Sequence, residues 1–295
     1  QNLELDSQKR TLRVGAGVRV GSVEYHLSET GLALPLTCHP GVGISGCTLG
    51  GGLGWLLGKY GTTADSVTKM NVVSADGRII QATENQNEDL FWALRGGGGN
   101  FGIVTEFEYE VQPQDDVIGG FIVYPIDALD EYLQFYREVM ATAPDELMIE
   151  ISTAPTNPPL LVTTVCYSGT LKESKAVLAP IRSFGKPLLD GIHQTKLTQI
   201  GTPSKEALDL LAAYSQNMPK SSQRPDGHYN CWRGESMPKW TDSAIEAFTK
   251  GIKDAPHGWS MGIGHYMHGA ATRVDRKDTA LIREEHNSSF FLNLN

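Results

Sequence analysis

Apolar and polar residues alternate over Thr11 to Val14, and a similar run, Leu3-Glu4-Leu5-Asp6, precedes them across Ser7-Gln8-Lys9-Arg10. A period of two marks a half-buried strand, so the chain is expected to open with a β-hairpin. From Val20 the apolar spacing changes to three and four, through Val23 and Leu27. That spacing predicts a helix reaching Thr30, with Gly31 as its C-cap. Met70 to Gln81 reads as a second hairpin, turned at Asp76-Gly77. Asn87 to Arg95 is helix-like, and Ile103 to Val111 is a strand closed by Pro113.

The pattern changes after Pro113. Residues 117–124, 146–153 and 160–168 predict strands, and Leu129 to Ala141 and Lys172 to Phe184 predict helices. Strands and helices without strict βαβ alternation predict an α+β module. A boundary near 113–117 divides the chain into residues 1–113 and 114–295. Asn217 to Asp226, rich in Pro, Ser and Lys, predicts an exposed loop.

Composition changes this picture at one point. Glycine is 32 of 295 residues, about 11% against a usual ~7%, so the excess needs a location. Nine of the 21 positions from Gly41 to Gly61 are glycine, and a second block runs Gly96-Gly97-Gly98-Gly99-Asn100-Phe101-Gly102. A net charge of −9 with no basic run argues against a nucleic-acid partner. No apolar stretch approaches the ~20 residues of a membrane span, and residues 1–6 have neither a basic leader nor an apolar core. The chain reads as soluble, its compartment left open between cytoplasmic and secreted; the sequon Asn287-Ser288-Ser289 is at chance level. Cys38, Cys47, Cys166 and Cys231 lack CxxC spacing, which predicts buried free thiols and no metal site. The first residue is Gln, and the chain is expected to start partway into a larger sequence.

Gly41-Val42-Gly43-Ile44-Ser45-Gly46 matches GxGxxG, with Asp65 about 20 residues on. A dinucleotide fingerprint of that kind needs a strand before it and a helix after it. Here Pro40 precedes, and Gly50, Gly51, Gly52 and Gly54 would disfavour the helix by ~3–4 kcal/mol. A glycine-rich loop can instead turn several backbone N–H groups towards a pyrophosphate, with no Cβ in the way; tight packing alone is the alternative.

The run Val42 to Trp55, with Lys59-Tyr60-Gly61, Ala75-Asp76-Gly77 and Asp89 to Thr105, resembles the FAD-binding domain of the berberine bridge enzyme-like flavoproteins, within the vanillyl-alcohol oxidase (PCMH-type) fold. The likeness extends in particular to the subgroup near the 6-hydroxynicotine oxidases. It implies a second FAD-binding lobe in residues 1–113 and an antiparallel-sheet substrate domain, incomplete, in 114–295. It also implies that Val42, Gly43, Ile44, Ser45 and Gly46, with Thr48, meet the pyrophosphate, and that Gly50, Gly51, Gly52 and Gly54 permit its close approach. Asn100, Gly102, Ile103 and Val104 would lie along the flavin and adenine ends. Asp65, Asp89 and Arg95 are expected as caps and ion pairs.

The chain departs from the family in four places. The Arg-Ser-Gly-Gly-His motif that attaches FAD is missing, so the chain is either a fragment or impaired in FAD binding. His39 stands where some relatives carry a thioether-forming cysteine, and Cys38 beside it is expected to be unreactive. The final Tyr-x-Asn motif has no counterpart. Thr272 takes the place of the catalytic glutamate of plant members. Flavin oxidation needs a group to take the proton from a departing O–H or N–H. Alternation through Ser260 to Gly269 puts Tyr266 and His268 on one face, and His265 with Met267 on the other. Tyr266 with His268 is the first candidate pair and His265 the second; His228 and Tyr229 are weaker, and packing roles stand as the alternative for all. The expected function is an FAD-dependent oxidase passing electrons to O₂ from a small alcohol, sugar or amine-bearing heterocycle. The alternative is a truncated or degenerate flavoprotein acting as a non-catalytic binding module.

Overall fold

The computed structural model describes residues 2–215, 231–254, 261–275, 277–283 and 288–294. The loop 217–226, His228, Tyr229 and the sequon's Asn287 lie outside them. The chain forms two compact units. One comprises residues 1–116, 196–198 and 268–284; the other comprises 117–195, 199–267 and 285–295. Two later segments, 196–198 and 268–284, thus group with the first unit.

In the first unit, β1 (Leu3–Asp6), β2 (Thr11–Gly15), α1 (Val20–Leu27), β3 (Leu32–Ala33), α2 (Ile44–Leu49) and α3 (Leu57–Tyr60) come first. Then follow β4 (Val67–Val73), β5 (Ile79–Thr83), α4 (Glu88–Leu94), β6 (Ile103–Glu110) and β7 (Gln112–Pro113). Five strands make an antiparallel sheet in the order β1-β2-β6-β4-β5, and β3 pairs with β7. Alternation turns Leu12 and Val14 of β2 inward, where they meet Val20, Val23 and Leu27 of α1 and Phe91 and Leu94 of α4 in one core. Arg13 points outward to Glu4 and Glu106. The α1 helix ends at Leu27, before the expected Gly31, because the Ser28 and Thr30 hydroxyls bond the carbonyls of Tyr25 and Leu27 and close the last turn locally.

The β4–β6 pairing slips between Asn71 and Val72, whose partners are Glu106 and Val104. The slip leaves Thr105 unpaired, as a β-bulge does, and reverses the inside–outside parity. Val104 and Phe107 consequently both face the core, while Ile103 is 69% exposed.

The second unit contains β8 (Val117–Pro125), α5 (Leu129–Ala141), β9 (Leu147–Ala154), β10 (Leu160–Tyr167), α6 (Leu171–Ser183), β11 (Leu189–Asp190) and β12 (His193–Thr195). It continues with α7 (Lys205–Ser215), β13 (Cys231–Met237), α8 (Asp242–Lys253), β14 (Met261–Tyr266) and, after α9 (Ala270–Arg273) of the first unit, β15 (Ser288–Leu294). The sheet runs β11-β8-β10-β9-β14-β15-β13, with β12 also on β8. Leu129, Tyr132, Leu133, Tyr136 and Met140 form the apolar stripe of α5 and pack on one sheet face with Leu178 and Ile181 of α6 and Ile245, Phe248 and Ile252 of α8. Thr170 and Thr241 cap α6 and α8 by accepting the amides of Glu173 and Ala244.

The return segment is fixed by a buried ion pair. Arg283 Nη2 lies 2.5 Å from Asp65 Oδ1, with the two side chains 2% and 11% exposed. Arg283 Nη1 donates to Asp65 Oδ2 at 2.9 Å and to the Ala271 carbonyl at 3.0 Å. Arg283→Ala, which leaves the Asp65 carboxylate buried beside a void, is expected to cost about 3–5 kcal/mol in urea unfolding. Arg13→Ala, in an exposed pair, should cost no more than about 1 kcal/mol in the same measurement.

Candidate functional site

The first candidate site is the loop before α2. Gly41, Val42, Gly43 and Gly46 are exposed, and a Cβ added at Gly41, Gly43 or Gly46 would meet no atom within 4 Å. Protein packing does not demand glycine there. The loop is held from below: Val20 and Gly21 donate their amides to the carbonyls of Val42 and Pro40, and Ile44 donates to Val18. Ser45 is held too, its hydroxyl donating to the Ala16 carbonyl at 2.6 Å. The sequence matching GxGxxG thus opens a helix of only six residues, which the following glycines stop.

Glycines 50–54 serve another purpose. A Cβ on Gly54 would lie 1.6 Å from the Leu36 carbonyl oxygen, and one on Gly52 would lie 2.2 Å from Thr63 Oγ1. These positions are set by the chain's own close approach. The same is true of Gly96, where a Cβ would come within 2.5 Å of the Leu281 backbone. The two glycine blocks nevertheless meet: Gly96 and Gly98 both donate to the Leu49 carbonyl at the end of α2, at 3.1 and 3.0 Å.

Thr48 does not face the loop. Its hydroxyl is fully buried, donating to the Ile44 carbonyl at 2.8 Å and sharing a 2.7 Å bond with the Tyr109 hydroxyl. One helical turn separates Ile44 from Thr48, so both take the inward side of α2. Asn100 and Phe101 of the second block are exposed, as is Ile103 after it, whereas the bulge sends the Val104 side chain into the core. A Cβ added at Gly102 would lie 2.8 Å from the Val73 carbonyl oxygen, so that position is set by tight packing. Asp65 caps the turn at Thr62 as well as pairing with Arg283. Arg95 stacks over the Phe91 ring and donates to the Asp278 carbonyl. Cys38 is not in a disulfide and is partly exposed, beside exposed His39.

The three catalytic candidates separate. Strand β14 ends at Tyr266, so the expected alternation stops before His268, which belongs to the first unit and is 6% exposed. Tyr266 faces the helices, with its ring 6.1 Å from that of Tyr136, and burial pushes its phenol above the ordinary range. His265 faces the other way, and its Nε2 is 3.5 Å from Glu150 Oε2 of β9. Sequence reading passed over Glu150, although one acidic residue in Leu147-Met148-Ile149-Glu150-Ile151 is the irregularity that marks it. Among the described residues no cluster of His, Cys, Asp or Glu could hold a metal ion, and no helix is long and apolar enough to cross a membrane.

Comparison with known proteins gives this geometry a context. Over residues 1–83 the chain matches the family described as FAD binding domain. An FAD-linked oxidoreductase of Dictyostelium discoideum is 31% identical over 246 residues, 75% of this chain and 54% of that protein. The (R)-6-hydroxynicotine oxidase of Paenarthrobacter nicotinovorans is 30% identical over 207 residues, 65% of this chain and 43% of that protein. The chain spans about half the length of these relatives. The crystal structure of 6-hydroxy-D-nicotine oxidase from Arthrobacter nicotinovorans superposes with a TM-score of 0.79 at 22% identity, covering 100% of this chain and 63% of that one. The BBE-like 1 protein of Physcomitrella patens gives 0.79 at 20% identity, covering 100% and 64%. The shared fold is the PCMH-type FAD-binding α+β architecture expected from the motifs.

Glu24 of α1, partly buried, has its carboxyl pushed up to about 7 by desolvation. Burial first, and the Glu24 charge with it, also raises the Cys47 thiol. Since the folded chain holds the Glu24 proton more tightly than the unfolded one, its stabilising contribution is complete below the ordinary glutamate range and is lost as pH rises through about 7. Urea midpoints should accordingly fall between about pH 5 and pH 8 more steeply in the parent than in Glu24→Gln.

Proposed function

We propose that this chain is the flavin-holding and substrate-facing part of an FAD-dependent oxidoreductase. The observation that carries the reading is the exposed Gly41–Gly46 loop, whose open glycines fit a cofactor pyrophosphate and have no packing explanation. Bound FAD supplies a two-electron hydride acceptor. The chain's own part begins with the backbone of Val42, Gly43, Ile44, Ser45 and Gly46, which offers amides to the pyrophosphate. Asn100, Gly102, Ile103 and the Val104 backbone offer a second surface for the flexible cofactor's flat ends. Gly50, Gly51, Gly52 and Gly54 act one step back, by letting the loop's supports pack.

Substrates in this reading are small alcohols, sugars or amine-bearing heterocycles, with O₂ as electron acceptor. Relatives named as oxidases support it, (R)-6-hydroxynicotine oxidase among them. Of the three candidate proton acceptors, His265 is favoured, because Tyr266 packs against α5 and His268 lies beyond the strand.

Purified protein is expected to show a flavin absorption band that bleaches anaerobically with substrate and returns in air; a flavin that never bleaches with any of the three substrate classes would count against the reading. Gly46→Ala should leave stability unchanged, or raise it by up to about 1 kcal/mol through helix propensity, while weakening FAD binding about tenfold, close to 1.4 kcal/mol. Gly54→Ala should do the reverse at the level of the fold, costing about 1–3 kcal/mol of stability through overpacking. Flavin-fluorescence titration and thermal unfolding of both variants separate the two effects.

A further inference from the structure

The sheet of the second unit has two unlike faces. Ile149, Ile151, Leu161, Val165 and Tyr266 face the helices and are apolar apart from a phenol. Successive strand residues alternate, so Glu150, Thr164 and His265 take the opposite face. The register places them in one row across three strands: Thr164 of β10 is the partner of Glu150 of β9, and Gly264↔Ile151 puts His265 of β14 opposite Glu150 on its other side. The neighbouring rows on that face hold Met148 and Cys166 on one side and Ser152, Val162 and Ile263 on the other, so Ser152 is the polar residue among apolar neighbours. Glu150 is 7% exposed and His265 8%.

A carboxylate withdrawn from water is costly unless a partner offsets it, and the imidazole 3.5 Å away is a partner that can change its charge. At that distance the carboxylate favours the protonated imidazole over the neutral one.

We propose that Glu150 and His265 form a proton-accepting pair for the substrate, in which His265 takes the proton of an O–H or N–H and Glu150 positions the ring and balances the imidazolium charge. The inference rests on the oxidoreductase reading and adds to it a positioning residue and a substrate requirement: an ionisable hydrogen on the atom next to the oxidised carbon. The step is a proton transfer. The substrate O–H or N–H bond breaks, its electron pair stays on the oxygen or nitrogen, and the proton forms the second N–H of the imidazole.

Other titratable groups on packed elements are Cys166 of β10, one row away on the same face, and Tyr136 of α5 on the other. Tyr136 donates to the Ile149 carbonyl at 3.1 Å, and burial first, then Tyr132, Tyr266 and Glu150, hold it neutral far into the alkaline range. Tyr136 is therefore not set to change charge alongside His265 near neutral pH.

Two readouts test the pair. Imidazole NMR signals of His265 in the full chain should titrate at a pH lower by about one unit or more in Glu150→Gln than in the parent, since the isosteric amide keeps the shape and removes the charge. In turnover, His265→Gln should lower kcat by about 10²-fold or more, Glu150→Gln should shift the acid limb of the pH profile in the same direction as the NMR midpoint, and the double variant should be no worse than His265→Gln alone. An imidazole titration indifferent to Glu150→Gln overturns the pair, as does a His265→Gln variant with parental kcat and pH profile. A parent that binds FAD yet oxidises no alcohol, sugar or amine overturns the oxidoreductase reading instead, and the imidazole titration then decides the pair on its own.

Discussion

A guanidinium removed from water needs acceptors, and Arg283 obtains them from Asp65, Ala271 and Thr279. The desolvation of two charges costs several kcal/mol per ion, which only good geometry offsets. The pair therefore holds one arrangement and punishes others. It ties residues 268–284 to the turn at Thr62–Asp65, and through Leu281 the same segment lies on Gly51 and Gly96. Both glycine blocks are thus braced by a stretch of chain more than 180 residues away in sequence.

The second unit solves a different problem. Its sheet packs aromatic helices on one side, with Tyr132 edge-on to Phe184 at 5.0 Å and Trp240 edge-on to Phe248 at 5.4 Å. Such packing fixes the strands closely enough that the parity of each residue is unambiguous, and parity then decides chemistry: Tyr266 is core because it is even in β14, and His265 is not because it is odd.

Local pattern made much of this legible. The hairpin at Asp76-Gly77, the helix Leu129–Ala141 and the strands at 117–124, 146–153 and 160–168 follow from period and turn chemistry alone. Three features did not, each for a physical reason. The bulge at Thr105 inserts one residue without a sequence mark, so the opposite fates of Ile103 and Val104 need the partner strand. The inward turn of Thr48 depends on a helix too short for its period to show. Arg283 and Asp65 find each other only through the tertiary fold, as do Glu150 and His265.

The glycines that crowd against the chain's own atoms have a historical consequence. Gly54 and Gly96 are held by the architecture itself, whereas Gly41, Gly43 and Gly46 face open space. A descendant that ceased to carry a nucleotide would be free to drift at the second set while remaining pinned at the first. The open glycines are therefore the positions at which the loss of a cofactor would first become visible in a lineage.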